Sequence, residues 1–268
     1  MILDCHVHMD PADHSREAYY NGMKQAGIDG GLIFSPHPAS FSEGEPTAPW
    51  QERLQAVLDF AGENVYPLYW IDPTEDTAAQ QVDAAVKAGI AGFKCICSHF
   101  FPCDSRAMRV WNKIAETGKP VMFHSGILYG GGDSSQYNRP VGFEGLIFIP
   151  NFKFAIAHVS WPWCDECLAV YGKWNYYHGE GLISSQMFID TTRGTPDIYR
   201  EEALRKLYTI GYDIEDNIIF GTDMKEHYNA QAAAAHVKKD IAIFDKLGIP
   251  QETREKYFHK NLLRFLGK

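Results

Sequence analysis

Eight short apolar runs recur along the chain, and they constrain the fold more than any other feature. They cover residues 1–3, 31–34, 65–71, 90–96, 120–123, 152–157, 186–189 and 217–220, and each gives way to polar residues, Gly or Pro. Their starts lie roughly 30 residues apart, the length of a strand–helix unit. The intervals carry helical periodicity. Met108, Trp111, Ile114 and Ala115 recur on one helical face, as do Leu54, Val57, Leu58 and Ala61, and also Val237, Ile241, Phe244 and Leu247. Thr195 followed by Pro196 reads as an N-cap with proline in the first turn. Eight strands alternating with helices over 268 residues predict a (β/α)8 TIM barrel, one domain spanning residues 1–268. A doubly wound open sheet has the same element pattern.

The position of the chemistry-bearing residues favours the barrel. His6-Val7-His8 closes the first run, and in an extended strand residues i and i+2 share a face, so both imidazoles can reach one ion. His124, His158 and Asp223 end the runs of strands five, six and eight. A barrel gathers the ends of strands one, five, six and eight at one mouth, where barrel active sites lie; an open sheet spreads them along a plane. Imidazole nitrogens and a carboxylate oxygen suit Zn²⁺ and related divalent ions. Asp72 and Asp190 end strands three and seven, either as acceptors that orient a metal-bound imidazole or as turn residues.

Composition excludes several other classes. With 25 basic and 34 acidic residues the net charge is -9, which argues against nonspecific binding to nucleic acid or to an anionic membrane. No basic, apolar leader opens the sequence and no apolar stretch reaches bilayer-spanning length, so a cytoplasmic protein with six reduced cysteines is expected. Cys164-Asp165-Glu166-Cys167 has the spacing of a redox dithiol, but its place after strand six favours two ordinary thiols near a helix start. Cys95, Cys97 and Cys103 lack the regular spacing of a structural zinc site and are expected as buried thiols.

Arg139, Arg193, Lys225, His37, His99, Tyr129, Trp161 and His227 fall in loops expected to ring the mouth. The cations suit a carboxylate on a small-molecule substrate, and the aromatic residues suit a ring. The segment 128–145, with Gly130-Gly131-Gly132-Asp133, is expected as a loop over the mouth and matches no phosphate-binding fingerprint. His236 and His259 fall on outer helices and are expected at the surface.

The strand-one segment Asp4-Cys5-His6-Val7-His8, the strand-end His124, His158 and Asp223, and the tail Asn261-Leu262-Leu263-Arg264-Phe265-Leu266-Gly267 resemble the amidohydrolase superfamily. The likeness is to its amidohydrolase-related metal-dependent hydrolases, a group that includes aromatic-acid decarboxylases. The resemblance implies the (β/α)8 barrel. It implies that His6, His8, His124 and Asp223 hold a divalent ion, with Zn²⁺ preferred, and that Asp223 doubles as a proton shuttle. His158 matches the strand-six histidine that binds a second metal in binuclear members and contacts substrate or water in mononuclear ones. Lys94 falls where some relatives bridge two metals with a carboxylated lysine; one ion is the preferred reading, with Lys94 a ligand only in the binuclear case. The chain departs from the family at Cys95-Ile96-Cys97-Ser98-His99, where many relatives read Lys-Leu-His-Pro. Relatives often assemble as dimers or larger oligomers, so the resemblance allows a homo-oligomer. The leading expectation is a hydrolase of a small amide, ester or lactone. A metal-dependent decarboxylase of an unsaturated or aromatic carboxylate is the alternative, and a noncatalytic metal-binding scaffold the third reading.

Overall fold

Every strand of the sheet runs parallel to its neighbours, in chain order. The computed structural model describes residues 1–10, 14–41, 47–130 and 134–268. Its strands are β1 (Leu3–Asp4), β2 (Val7–His8), β3 (Gly30–Phe34), β4 (Val65–Trp70), β5 (Gly92–Cys95), β6 (Val121–Phe123), β7 (Lys153–Ile156), β8 (Gln186–Asp190), β9 (Ile218–Ile219) and β10 (Met224–Lys225). The bonded order is β10-β2-β3-β4-β5-β6-β7-β8-β9, with β1 also on β3. Since β1 and β2 are consecutive pieces of one stretch, as are β9 and β10, the sheet has eight positions. Its ends meet: Cys5 N donates to Phe220 O at 2.9 Å and Asp223 N to His6 O at 3.0 Å. The curled sheet closes as the predicted (β/α)8 barrel.

Helices fill the connections: α1 (Arg16–Ala26), α2 (Trp50–Leu58), α3 (Ala78–Lys87), α4 (Ser105–Glu116), α5 (Cys164–Gly179), α6 (Asp197–Thr209), α7 (Ala230–Leu247), α8 (Gln251–Glu255) and α9 (Asn261–Leu266). None is long and apolar enough to cross a membrane. The connection after β6 has a 3-10 helix, Pro140–Phe148, in place of an α-helix, and it buries Phe143, Leu146 and Ile147. Much of the segment expected as a loop is therefore packed structure, while residues 131–133 lie outside the described residues. Helix α6 begins at Asp197 with Pro196 at the cap, one residue later than Thr195-Pro196 suggested, because proline suits the extended cap geometry observed there.

The period of two along the strands places the site. Leu3, Leu32, Phe34, Leu68, Met122, Ala155, Phe188 and Ile219 form an inner cluster, which Leu262 and Phe265 of α9 cover. Two residues on from these positions lie Trp70, His124 and Asp190, so the face that fills the barrel below delivers functional groups above. A second, larger cluster packs the outer strand faces against the helices.

On α7 the apolar stripe holds in part: Val237 and Phe244 are buried and Leu247 is partly buried. Ile241 is exposed, whereas His236 and Asp240 are buried. His236 stacks on Phe220 at 5.7 Å, and Asp240 forms a buried pair with Arg200 at 2.7 Å. His236 is thus a core residue and not a surface one; His259 is half-buried. Burial, then the nearby Arg200 guanidinium, lowers the His236 pKa from 6.5 to about 4. The unfolded chain binds this proton at the ordinary value and the folded one does not, so stability falls as pH drops from about 6.5 through 4. That contribution amounts to about 3 kcal/mol at full protonation. Replacing His236→Gln is expected to remove most of it from the pH dependence of urea unfolding between these limits; an unchanged slope would contradict the assignment.

Candidate active site

Three donor atoms converge above the barrel core. His6 Nε2 lies 3.1 Å from His8 Nε2, and Asp223 Oδ1 lies 3.6 Å and 3.5 Å from the two. All three ligand atoms fall within 4.8 Å of one another. His158 adjoins this group, its ring centroid 5.0 Å from that of His6, and its Nε2 sits 3.1 Å from His124 Nδ1. His124 lies beyond the three-donor group and meets it through His158. Lys94 is fully buried beside them, with Nζ 3.2 Å from His6 Nε2 and 4.7 Å from the Phe34 ring centre.

Local backbone geometry aims these groups. His158, Val159 and Ser160 take three successive left-handed conformations, with φ of 62°, 48° and 54°. Each such residue costs about 1–2 kcal/mol, so the turn persists only where its surroundings enforce it. Ser125 Oγ donates to Ser160 Oγ at 2.8 Å, and Gly194 lies so close that a Cβ there would meet His158 Cβ at 2.7 Å. Asp223 is also left-handed, with φ of 59°. Its turn is held from strand one: the buried Asp4 carboxylate accepts from His6 N at 3.0 Å, Thr222 N at 2.9 Å and Tyr228 OH at 2.6 Å, and also from Thr222 Oγ1.

Electrostatics leave the donors ready for a cation. Burial, helped by the Lys94 charge, pushes the His6 pKa well below its usual range. Burial also lowers His8 and His124, so all three imidazoles are neutral near pH 7. Burial alone would raise Asp223, but its hydrogen bond with His8 holds it well below the carboxylate range. Lys94 drops from 10.5 to about 8 through burial. His6 Nδ1 lies 2.6 Å from Asp190 Oδ2. A carboxylate acceptor there fixes the proton on Nδ1 and leaves the Nε2 lone pair facing the other donors. His124 Nε2 is buried with no hydrogen-bond partner among the described residues, an orphaned donor atom beside this group. The donor chemistry therefore fits a divalent ion.

A cavity of about 580 Å³ opens over the group, lined by His8, His124, His158 and Asp223 at its floor. Of the expected rim residues, Arg193, Lys225, His37, Tyr129 and Trp161 line it. Arg139 does not: its guanidinium pairs with Glu166 in the first turn of α5 and lies 5.1 Å over the Trp163 ring. His227 is exposed and off the cavity wall, and His99 turns to Thr74 at 3.1 Å and Asp72 at 3.4 Å. Asp72 thus serves its own loop, whereas Asp190 orients an imidazole. Trp70 and Phe41 were absent from the expected rim, although Trp70 ends strand three on the inward face of Leu68. The cysteines carry no disulfide; Cys103 is exposed, contrary to expectation, while burial lifts Cys164 to about 11 and Cys167 to about 12, far from a reactive dithiol.

The sequence profile of the family described as Amidohydrolase matches residues 3–268. The chain belongs to the amidohydrolase family. It is an enzyme of the amidohydrolase superfamily, whose members are generally metal-dependent and catalyse hydrolysis or a related reaction. Among solved structures, a probable 2-pyrone-4,6-dicarboxylic acid hydrolase from Acinetobacter baumannii, with citric acid bound, superposes with a TM-score of 0.65 at 11% identity, covering 100% of this chain and 99% of that one. A dihydroorotase from Campylobacter jejuni gives 0.60 at 14% identity, covering 100% and 83%. A putative amidohydrolase from Staphylococcus aureus gives 0.65 at 11%, covering 100% and 99%. At these identities the likeness is one of fold. No curated protein matches this chain in sequence.

If Asp190 sets the His6 tautomer, Asp190→Asn is expected to weaken binding of Zn²⁺ by about 10–100-fold, read by competition with a chromophoric chelator, while the circular dichroism stays native. Unchanged affinity in a folded variant would show that Asp190 does not orient a ligand.

Proposed function

We propose that the enzyme hydrolyses a small amide, ester or lactone, with water activated at the His6–His8–Asp223 group. The observation that carries this reading is the convergence of two neutral imidazoles and an ionised carboxylate at the floor of a substrate-sized cavity, in a chain of the amidohydrolase family. His6, His8 and Asp223 would hold one divalent ion, zinc by preference, with His124 as the further ligand of the family pattern and Lys94 called on only if two ions bind. Such an ion, when bound, lowers the pKa of water toward 7 and polarises a carbonyl.

The protein's own groups supply the rest. Asp190 holds His6 in the tautomer that donates its Nε2 lone pair. Asp223 is about one-third exposed and faces the cavity, so its second oxygen can take a proton from water and return it to the leaving group. His158 stands beside the floor, where an N–H would stabilise the oxyanion that develops on the carbonyl oxygen. The rings of Trp70 and Phe41 give the cavity an apolar wall against which a substrate body can pack.

Turnover in H₂¹⁸O is expected to place one ¹⁸O in the acid product, and Asp223→Asn to lower kcat by about 10²–10⁴-fold. Release of CO₂ without ¹⁸O uptake would replace hydrolysis with decarboxylation. No turnover across esters, lactones, amides and carboxylates, with Asp223→Asn behaving like the parent, would favour a binding scaffold.

A further inference from the structure

The cavity is chemically two-sided. On the side of strands two and three, Trp70 lies 5.7 Å from the His8 ring, Phe41 4.8 Å from Trp70, and His37 5.4 Å from Phe41. Trp70 and Phe41 form an apolar wall running outward from a metal-ligating candidate, with the His37 imidazole at its outer end. On the opposite side, the strand-seven loop brings Arg193 to the cavity beside Trp161, which is itself stacked on Tyr199 at 4.9 Å. Gly194 presses that loop against the His158 ring, so the arginine belongs to the same chamber as the floor.

The charges in this chamber are unequally committed. Lys225 is bound to Asp10 at 3.0 Å. Lys94 is buried beneath Phe34 and His6 and does not reach the wall. Arg193 makes no hydrogen bond or ion pair among the described residues; Asp197, the acid that senses it, is tied to Lys239 at 2.5 Å. Among the described residues, Arg193 is therefore the one uncommitted cation facing the cavity. The other ionised groups there are the paired Lys225 and Asp10, and Asp223.

We infer that Arg193 selects a substrate bearing a single carboxylate on an apolar, ring-sized body. The carboxylate docks on the guanidinium fork at strand seven, the ring lies along Trp70 and Phe41, and the scissile carbonyl rests over His6, His8 and Asp223. A second carboxylate would meet Asp223 and the Lys225–Asp10 pair, with no unpaired side-chain cation among the described lining residues left to receive it. This deepens the hydrolase reading and rests on the same site, but it concerns binding and not turnover.

Calorimetric titration of the metal-loaded enzyme with cinnamate, its neutral amide cinnamamide and the dianion 4-carboxycinnamate tests it. Arg193→Met is expected to weaken cinnamate by about 10–100-fold and to leave cinnamamide within about threefold, because only the charge-assisted bond is lost. Arg193→Lys, which keeps the charge without the fork, is expected to recover part of the loss. The dianion is expected to bind the parent enzyme more weakly than cinnamate. Cinnamate affinity unchanged in a folded Arg193→Met protein would overturn the assignment, and would mean the carboxylate sits on the ion. Tighter binding of the dianion would overturn the limit to one carboxylate. Failure of the hydrolase reading would show instead as absent ¹⁸O uptake and would leave these affinities as they are.

Discussion

The structure depends on the seam where the last barrel strand returns to the first. At that seam Asp223 N donates to His6 O, and the buried Asp4 carboxylate gathers donors from His6, Thr222 and Tyr228. Without it the sheet would stay open and Asp223 would stand away from the paired histidines. A buried carboxylate with these partners is strongly held, since each bond to a charged acceptor contributes about 1.5–3 kcal/mol and leaving the acceptor bare costs more. The bonds that close the barrel are thus the bonds that assemble the donor group, so loss of the seam and loss of the site are one event.

The same economy of parts extends around the mouth. Asp190 ends its strand on the inward face and meets His6, and Trp70 does likewise toward His8. Where regular strand geometry does not suffice, the chain bends through disfavoured backbone, as in the left-handed turn from His158 to Ser160. Strain of this kind sits beside the candidate chemistry and is enforced by close packing, here of Gly194 on His158.

Much of this was legible in the residues. Apolar runs mark strands because strands buried on both faces need continuous apolar side chains, and all eight runs became barrel positions. The convergence of the paired histidines with Asp223 was legible because these residues end runs that a barrel brings to one mouth. Other features left no periodic trace. Asp4 reads as one more acid until its donors, distant in sequence, are brought to it. The stripe on α7 found Val237 and Phe244 but missed His236 and Asp240, which with Arg200 bury polar groups that satisfy or shield one another, something an apolar count cannot register. Arg139 and His99 looked like rim ligands, but nearby acids claim both, and pairing of that kind depends on tertiary distance alone.

The account stands on the convergence of His6, His8 and Asp223 around one cation. Anomalous diffraction at the zinc edge, from crystals of the protein grown with equimolar Zn²⁺, measures it directly. The account predicts a single strong peak among His6 Nε2, His8 Nε2 and an Asp223 carboxylate oxygen. An enzyme that turns over substrate with no peak there, or with its metal bound elsewhere, would contradict it.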